Sequence, residues 1–288
     1  MPLRGISLPA YGFSAGESNV RAPATSANLG PGFDCAAVAL DLWNELEVTE
    51  GDGVTVEGEG AAELPADETN LAVRAYALVA SPHGKRFRFV NRIPIERGLG
   101  SSAAAIALGL AAASQGGHSA DELLALGTQL ENHGDNLGAA LAGGACVTWH
   151  GRITKIAQTL PVGPIAVIPE GRIVTTEARD ALPSLIPHKD GAFTAAHALL
   201  LGAGLAAGNA EWLALALEDR LHEPYRLSPL LEDIRADMPP SAVGATLSGS
   251  GPTVLVWASD PDRCAEALTE RYRDHRVLLL SVAERGTL

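Results

Sequence analysis

Two glycines flank one apolar residue and two hydroxyls follow in Gly98-Leu99-Gly100-Ser101-Ser102, and an alanine-rich run continues to Ala113. Alanine loses no rotamer freedom in a helix, so the run predicts a helix that starts near Ser101. The first N–H groups of such a helix lack intrahelical partners. With the positive end of the helix dipole they form a site for phosphate, which the glycines let the backbone approach closely. The plain alternative is a Gly-Ser loop that caps a buried helix; the hydroxyl pair and the small-residue helix weigh against it without excluding it.

The phosphate site is of neither common type. The P-loop pattern Gly-x-x-x-x-Gly-Lys-Ser/Thr occurs nowhere in the chain. The letters 98–103 fit a relaxed dinucleotide fingerprint, which wants an acidic residue about twenty positions on. Asp121 and Glu122 stand at that distance, but Ser119-Ala120-Asp121-Glu122 is a capping box that opens another helix.

Three more stretches carry polar side chains near glycines. Thr25-Ser26-Ala27-Asn28-Leu29-Gly30-Pro31-Gly32-Phe33-Asp34 is turn chemistry ringed by short polar residues. Asn132-His133-Gly134-Asp135-Asn136 sets two amides, a histidine and a carboxylate before a short small-residue helix, and Glu131 precedes it. Gly244 to Thr253 is a second Gly-Ser loop between two strand-like runs. Each of these alone is equally a surface turn.

The elements that must hold these loops follow from periodicity. Residues 44–49, 54–57 and 86–89 alternate as half-buried strands, and the last delivers the glycine loop. Asp67 or Thr69 caps a helix through about Ala80. A helix from Ser119 ends near Glu131, and a strand spans Ala145 to Trp149. Beyond a boundary near 150–151 come strands at 153–160 and 165–168, then helices at 191–207, 210–221 and 229–236. A helix at 261–273 and a strand at 277–282 end the chain. Strands first and strand–loop–helix afterwards imply a mixed sheet. Residues 1–18 are expected to be an extension, 19–150 one domain and 151–288 a second. Helix 191–207 is apolar almost throughout, so it is buried or meets another copy.

Composition narrows the class. The 288 residues hold 34 acidic and 21 basic side chains, a net charge of −13 with no basic run, which argues against a nucleic-acid partner. Three scattered cysteines exclude a disulfide framework or a Cys-rich zinc site and fit a reducing cytoplasm. No signal pattern and no charge-free span-length run is apparent, so the expectation is a cytoplasmic enzyme away from membranes.

Taken together, the stretches 23–34, 98–103 and 247–253 resemble, in order, the three motifs of the GHMP small-molecule kinases, named for galactokinase, homoserine kinase, mevalonate kinase and phosphomevalonate kinase. Asn28 with Asp34, the segment ending Asp135-Asn136, and the run Glu218 to Arg226 resemble the homoserine kinase branch in particular. The resemblance covers nearly the whole chain from Val20.

The resemblance implies an α+β, two-domain architecture. Its N-terminal part would be a ribosomal-protein-S5-domain-2-like ATP-binding domain with a mixed sheet, its C-terminal part a ferredoxin-like α/β domain. It also implies transfer of the ATP γ-phosphate to the side-chain hydroxyl of L-homoserine, with Mg²⁺, in a chain that is often a homodimer. ATP would lie along Pro94, Ile95, Glu96, Arg97, Gly98, Leu99, Gly100, Ser101, Ser102, Ala103 and Ala104, with Asn70 near the base. Ser102 and Glu131 would hold Mg²⁺. Arg179 and Arg226 would take the substrate carboxylate and Asp34 its ammonium, with Asn28 and His133 adding hydrogen bonds. Asp135 and Asn136 would sit by the reacting hydroxyl, Asn136 orienting it without a dedicated general base. One departure stands out: the family's Glu-Gly-His-Pro is here Glu131-Asn132-His133-Gly134, which changes the backbone freedom of the turn.

Overall fold

The computed structural model describes residues 18–131, 133–172 and 175–287. The expected extension, residues 1–18, lies outside them but for Ser18, which opens the first strand. Two sheets organise the chain. The first contains β1 (Ser18–Asn28), β2 (Gly32–Glu50), β3 (Gly53–Gly58), β4 (Lys85–Asn91), β5 (Ala145–Trp149) and β6 (Arg152–Ala157). Its order is β3-β4-β2-β5-β6, with β1 on β2. All pairs are antiparallel except β3 with β4, which α1 (Leu71–Ala77) connects. The sheet is mixed, as expected.

β2 makes the sheet possible. Its second half alternates: Leu46 and Val48 point into the core, while Glu45 and Glu47 face Arg92 and Arg88 at 3.1 and 3.5 Å. Its first half, Ala36 to Leu40, is buried on both faces. Small side chains there let α2 (Ser101–Ser114) and α4 (Asp135–Ala142) pack closely on the sheet. The helix α3 (Ala120–Gly127) opens with the Ser119–Glu122 capping box.

The second sheet comprises β7 (Gly163–Ile168), β8 (Ala242–Leu247), β9 (Val254–Ala258) and β10 (Arg276–Leu279), in the order β10-β7-β9-β8 with antiparallel neighbours. This is the strand order of a ferredoxin-like unit. Between β7 and β8 run α5 (Thr175–Asp180), α6 (His188–Ala207), α7 (Ala210–Ala216), a 3-10 turn (Glu223–Tyr225) and α8 (Pro229–Ala236), and α9 (Pro261–Arg271) precedes β10.

Several expectations need correction. The boundary at 150–151 falls inside a hairpin, because β6 pairs with β5 in the first sheet. The chain end also returns there: Asp41 N–H donates to Ser281 O (2.8 Å), Ala283 N–H to Ala39 O (3.0 Å) and Thr287 N–H to Ala140 O (2.9 Å). The α1 cap is Asn70, not Asp67 or Thr69, and the helix stops at Ala77. Residues 244–247 belong to β8, so the second Gly-Ser loop is 248–253. The helix expected at 210–221 ends at Ala216, where the Asp219 carboxylate accepts from the amides of Leu221, His222 and Glu223 (2.9, 2.7 and 3.0 Å) and turns the chain.

α6 is long and apolar enough to cross a membrane by length and composition, although Lys189 and Asp190 stand in its first turn. Its Leu201 and Leu205 are buried toward α7 and β6, and Leu199 is 77% exposed.

Candidate active site

The glycine loop is where the two sheets meet. Gly98 has φ +77° and Gly100 φ +67°, a region that favours glycine. A Cβ at 98 would overlap the carbonyl oxygens of Ser248 and Gly251, and one at 100 would overlap the Thr25 hydroxyl. Both glycines are therefore required by close approach as well as by the turn. Thr25 N–H donates to Leu99 O (3.1 Å), the Ser248 hydroxyl to Gly98 O (2.6 Å) and Gly249 N–H to Ala27 O (3.1 Å). These bonds lock three separate glycine-bearing stretches into one wall. Among the described residues no side chain caps the N-terminus of α2, which leaves its first amides open to an anion.

That wall lines a cleft of about 590 Å³. Asn28, Asp34, Asn70, Ile95 to Ser102, Glu131, His133, Asp135, Asn136, Arg179 and Arg226 all line it. Pro94, Ala103 and Ala104 do not: all three are buried, and the Ala104 amide already donates to Gly100 O at 2.9 Å. The Asn70 side chain is engaged at both ends, accepting from Ala72 N–H (3.0 Å) and donating to Pro65 O (2.8 Å). It acts here as a helix cap.

One end of the cleft sets a hydroxyl and a carboxylate beside the free amides of α2. The Ser102 hydroxyl donates to Glu131 Oε1 at 2.8 Å, and Glu131 Oε2 is buried without a hydrogen-bond partner among the described residues. Burial pushes the Glu131 carboxyl above its ordinary range, which the Ser102 bond partly offsets. A hydroxyl and a carboxylate with one unsatisfied oxygen suit a small hard cation, which takes oxygen ligands and completes its shell from phosphates and water. No cluster of three or more His, Cys, Asp or Glu side chains forms a closed metal cage among the described residues.

The other end carries paired charges. Asn28 and Asp34 adopt φ +76° and +56°, and the Asp34 amide donates to Asn28 Oδ1 at 3.1 Å. Arg179 on α5 grips Asp34 with two hydrogen bonds, 3.0 and 2.8 Å. Arg226 is 8% exposed, and both guanidinium groups lie near the Phe33 ring, Arg179 at 5.9 Å and Arg226 at 5.4 Å from its centroid.

Between the two ends lie Asp135 and Asn136. The Thr25 hydroxyl donates to Asn136 Oδ1 (2.7 Å), which leaves the amide's N–H groups as donors for a ligand. Asp135 Oδ1 accepts from the Asn136 amide at 2.6 Å. Burial pushes the Asp135 carboxyl up to about 6, against the lowering pull of that bond and of His133. Both ring nitrogens of His133 are buried without a partner among the described residues.

A cleft with an anion-binding helix terminus at one end and a carboxylate with two arginines at the other suits phosphoryl transfer to a small zwitterion. The sequence comparisons agree. Residues 70–144 match the model of the GHMP kinases N terminal domain, and residues 196–274 that of the GHMP kinases C terminal region. A homoserine kinase of Gloeobacter violaceus is 43% identical over 87% of this chain and 90% of its own length. One from Clavibacter michiganensis is 40% identical, covering 93% of this chain and 92% of the relative. The chain belongs to the homoserine kinase family.

The family's fold agrees as well. The crystal structure of a homoserine kinase from Cytophaga hutchinsonii superposes with a TM-score of 0.84 at 24% identity, over 96% of this chain and 98% of that one. A mevalonate kinase superposes at 0.69 with 17% identity, covering 92% of this chain and 99% of that one. Against this homoserine kinase frame, sequence reasoning missed Thr25, Phe33 and Ser248 as working parts. All three stood inside the motifs named above, but only the fold shows that Thr25 bonds Asn136, that Phe33 faces both arginines and that Ser248 bonds Gly98 O.

Proposed function

We propose that this chain transfers the γ-phosphate of ATP to the side-chain hydroxyl of L-homoserine, giving O-phospho-L-homoserine. ATP use follows from membership of the GHMP kinases. The observation that carries the substrate reading is the opposed charge set Asp34, Arg179 and Arg226, in one cleft with the free amides of α2. A sugar or simple alcohol has no carboxylate and ammonium to match it.

In this reading the amides of Ser101 and Ser102 hold the phosphates, and Ser102 with Glu131 would hold Mg²⁺. That ion, when bound, neutralises charge on the phosphate oxygens. Asp34 takes the ammonium group, while Arg179 and Arg226 take the carboxylate by forked donation. The zwitterion thereby replaces both halves of the Arg179–Asp34 pair. Asn28 and His133 add hydrogen bonds, and His133 gains partners for its two buried nitrogens. Asn136, oriented by Thr25, donates to the reacting hydroxyl. Asp135 steadies the Asn136 backbone, and no group is assigned as general base, since positioning and charge stabilisation carry most of phosphoryl transfer. Domain roles follow: the part up to β6 supplies the nucleotide side, and the rest supplies the arginines.

A homodimer is proposed as the working assembly, supported by the exposed Leu199 on α6, and sedimentation velocity tests it. A cytoplasmic location is the setting proposed for such a biosynthetic step. For the reaction itself, ADP release with Mg-ATP is compared for L-homoserine, mevalonate, galactose and no acceptor. Selective stimulation by L-homoserine is expected. Stimulation by another alcohol would move the substrate, and none at all would remove the kinase reading.

A further inference from the structure

Behind the cleft wall, and not part of its lining, His222 is completely buried. Its Nε2 lies 2.9 Å from the Gly30 carbonyl oxygen, and its Nδ1 lies 3.2 Å from Nη1 of Arg226. The carbonyl can only accept and the guanidinium can only donate. One protonation state satisfies both: a neutral ring with its proton on Nε2. An imidazolium would set N–H against N–H at Arg226. The charged groups that act on the ring are Asp219, Arg226 and Asp34. Asp219 Oδ2 stands 3.7 Å from Nε2, outside hydrogen-bond range, and is already held by the amides of His222 and Glu223. Burial lowers the proton affinity of His222, with Asp219 pulling the other way, so the neutral form agrees with its surroundings.

The ring is also fixed by stacking. Phe33 lies over it at 5.2 Å with 22° between planes, and the same Phe33 ring faces Arg226. Among the described residues the Arg226 guanidinium also donates to two backbone carbonyls, Gly249 O at 3.0 Å and Ala178 O at 3.5 Å. Through Gly30 the imidazole is tied to the turn that carries Asn28 and Asp34, and through Nδ1 to the arginine.

We infer that His222 is the positioning residue that sets Arg226, and registers it against the 28–34 turn, for the carboxylate end of the amino-acid substrate. This rests on the reading of the cleft as a homoserine site. The nitrogen facing Arg226 matters for substrate affinity, and the nitrogen facing Gly30 matters for holding the ring.

Two substitutions separate these roles. In His222→Asn, the side-chain oxygen falls near the place of Nδ1 and still accepts from Arg226, while the reach to Gly30 is lost. In His222→Gln, the amide reaches Gly30 and the acceptor toward Arg226 is lost. Steady-state kinetics of the full chain are measured for L-homoserine and ATP in the parent and both variants. Loss of a hydrogen bond to a charged group is expected to raise the L-homoserine KM of the Gln variant roughly tenfold or more, with the ATP KM within about twofold. The Asn variant should stay within about threefold of the parent on both.

Equal rises in the two variants, or a parallel loss of kcat and both KM values, would overturn the positioning role in favour of a purely structural one. A parent that releases no ADP in response to L-homoserine overturns the functional reading itself, a different result from an active parent whose variants do not split. Should the Gln variant not fold, ¹⁵N spectra of histidine-labelled parent decide. A neutral Nε2–H ring at position 222 supports the inference, and a proton on Nδ1 overturns it.

Discussion

Arg179 and Asp34, 145 positions apart, close on each other through two hydrogen bonds, Nη1 to Oδ2 at 3.0 Å and Nη2 to Oδ1 at 2.8 Å. Each side chain is more than a third exposed, so the pair itself adds little stability. It places a cation and an anion side by side in the cleft, where the proposed zwitterionic substrate would exchange with both. Truncating Asp34 or Arg179 to alanine should therefore leave folding intact and raise the L-homoserine KM about 10- to 100-fold, the usual cost of a charge-assisted bond. Initial-rate kinetics with either substrate varied check this. An equal rise in the ATP KM would speak against a role at the substrate end.

Glu131 and Ser102 should govern the metal requirement. Glu131→Gln keeps the acceptor for Ser102 but removes the negative charge. The expected result is a fall in kcat of about 100-fold or more, from lost charge stabilisation, with a shift of half-maximal activity to higher Mg²⁺. Titration of activity against free Mg²⁺ checks both. An unchanged Mg²⁺ dependence would take Glu131 out of the ion's shell.

Asp135 predicts a pH dependence of stability. Its folded pKa lies above the ordinary carboxyl value, at about 6, through burial. A raised acid favours the folded state while protonated. That contribution is complete below about pH 4 and is lost as pH rises through about 6. Asp135→Asn mimics the protonated form and can keep the bond from the Asn136 amide. Its unfolding free energy should exceed the parent's at pH 8, by at most about 3 kcal/mol, and converge with it at pH 4. Urea denaturation at the two pH values measures the difference. Its kcat should fall if the carboxylate's charge helps to orient the acceptor.

Gly98→Ala should break the junction between the sheets. The new Cβ meets the Ser248 and Gly251 carbonyl oxygens at a backbone with φ +77°. Overpacking and a left-handed alanine together cost about 2 to 4 kcal/mol, and ATP affinity should fall with the displaced loop. Thermal unfolding and nucleotide titration are the measurements. A fully stable variant with unchanged ATP binding would contradict the close approach.

Much of the catalytic centre was legible in the chain because its parts are local. Gly98 to Ser102 couples turn glycines to a helix start, and Glu131 to Asn136 is a polar run at another. Gly30-Pro31-Gly32 marks a turn. Each signal needs only a few adjacent residues, and their joint order along the chain carried the family. Alternation likewise exposed the half-buried second half of β2, and β4.

Other features had no local signal. Residues 22–28 of β1 and 36–40 of β2 are buried on both faces, so their alanines and Val38 show no alternation to read. The hairpin of β5 and β6 and the return of residues 281–287 to the first sheet depend on pairing across the chain. His222 appeared only as one letter in a quoted run. By itself the sequence determined the local turns, the helix that starts after the two glycines and the residue types at both ends of the cleft. Tertiary structure decided which of them touch: Arg179 with Asp34, Thr25 with Asn136, His222 with Gly30 and Arg226. The physical reason is range. Turns and helix starts are set by neighbouring residues, whereas a contact between residues 145 or 192 positions apart exists only once packing has closed the chain around it.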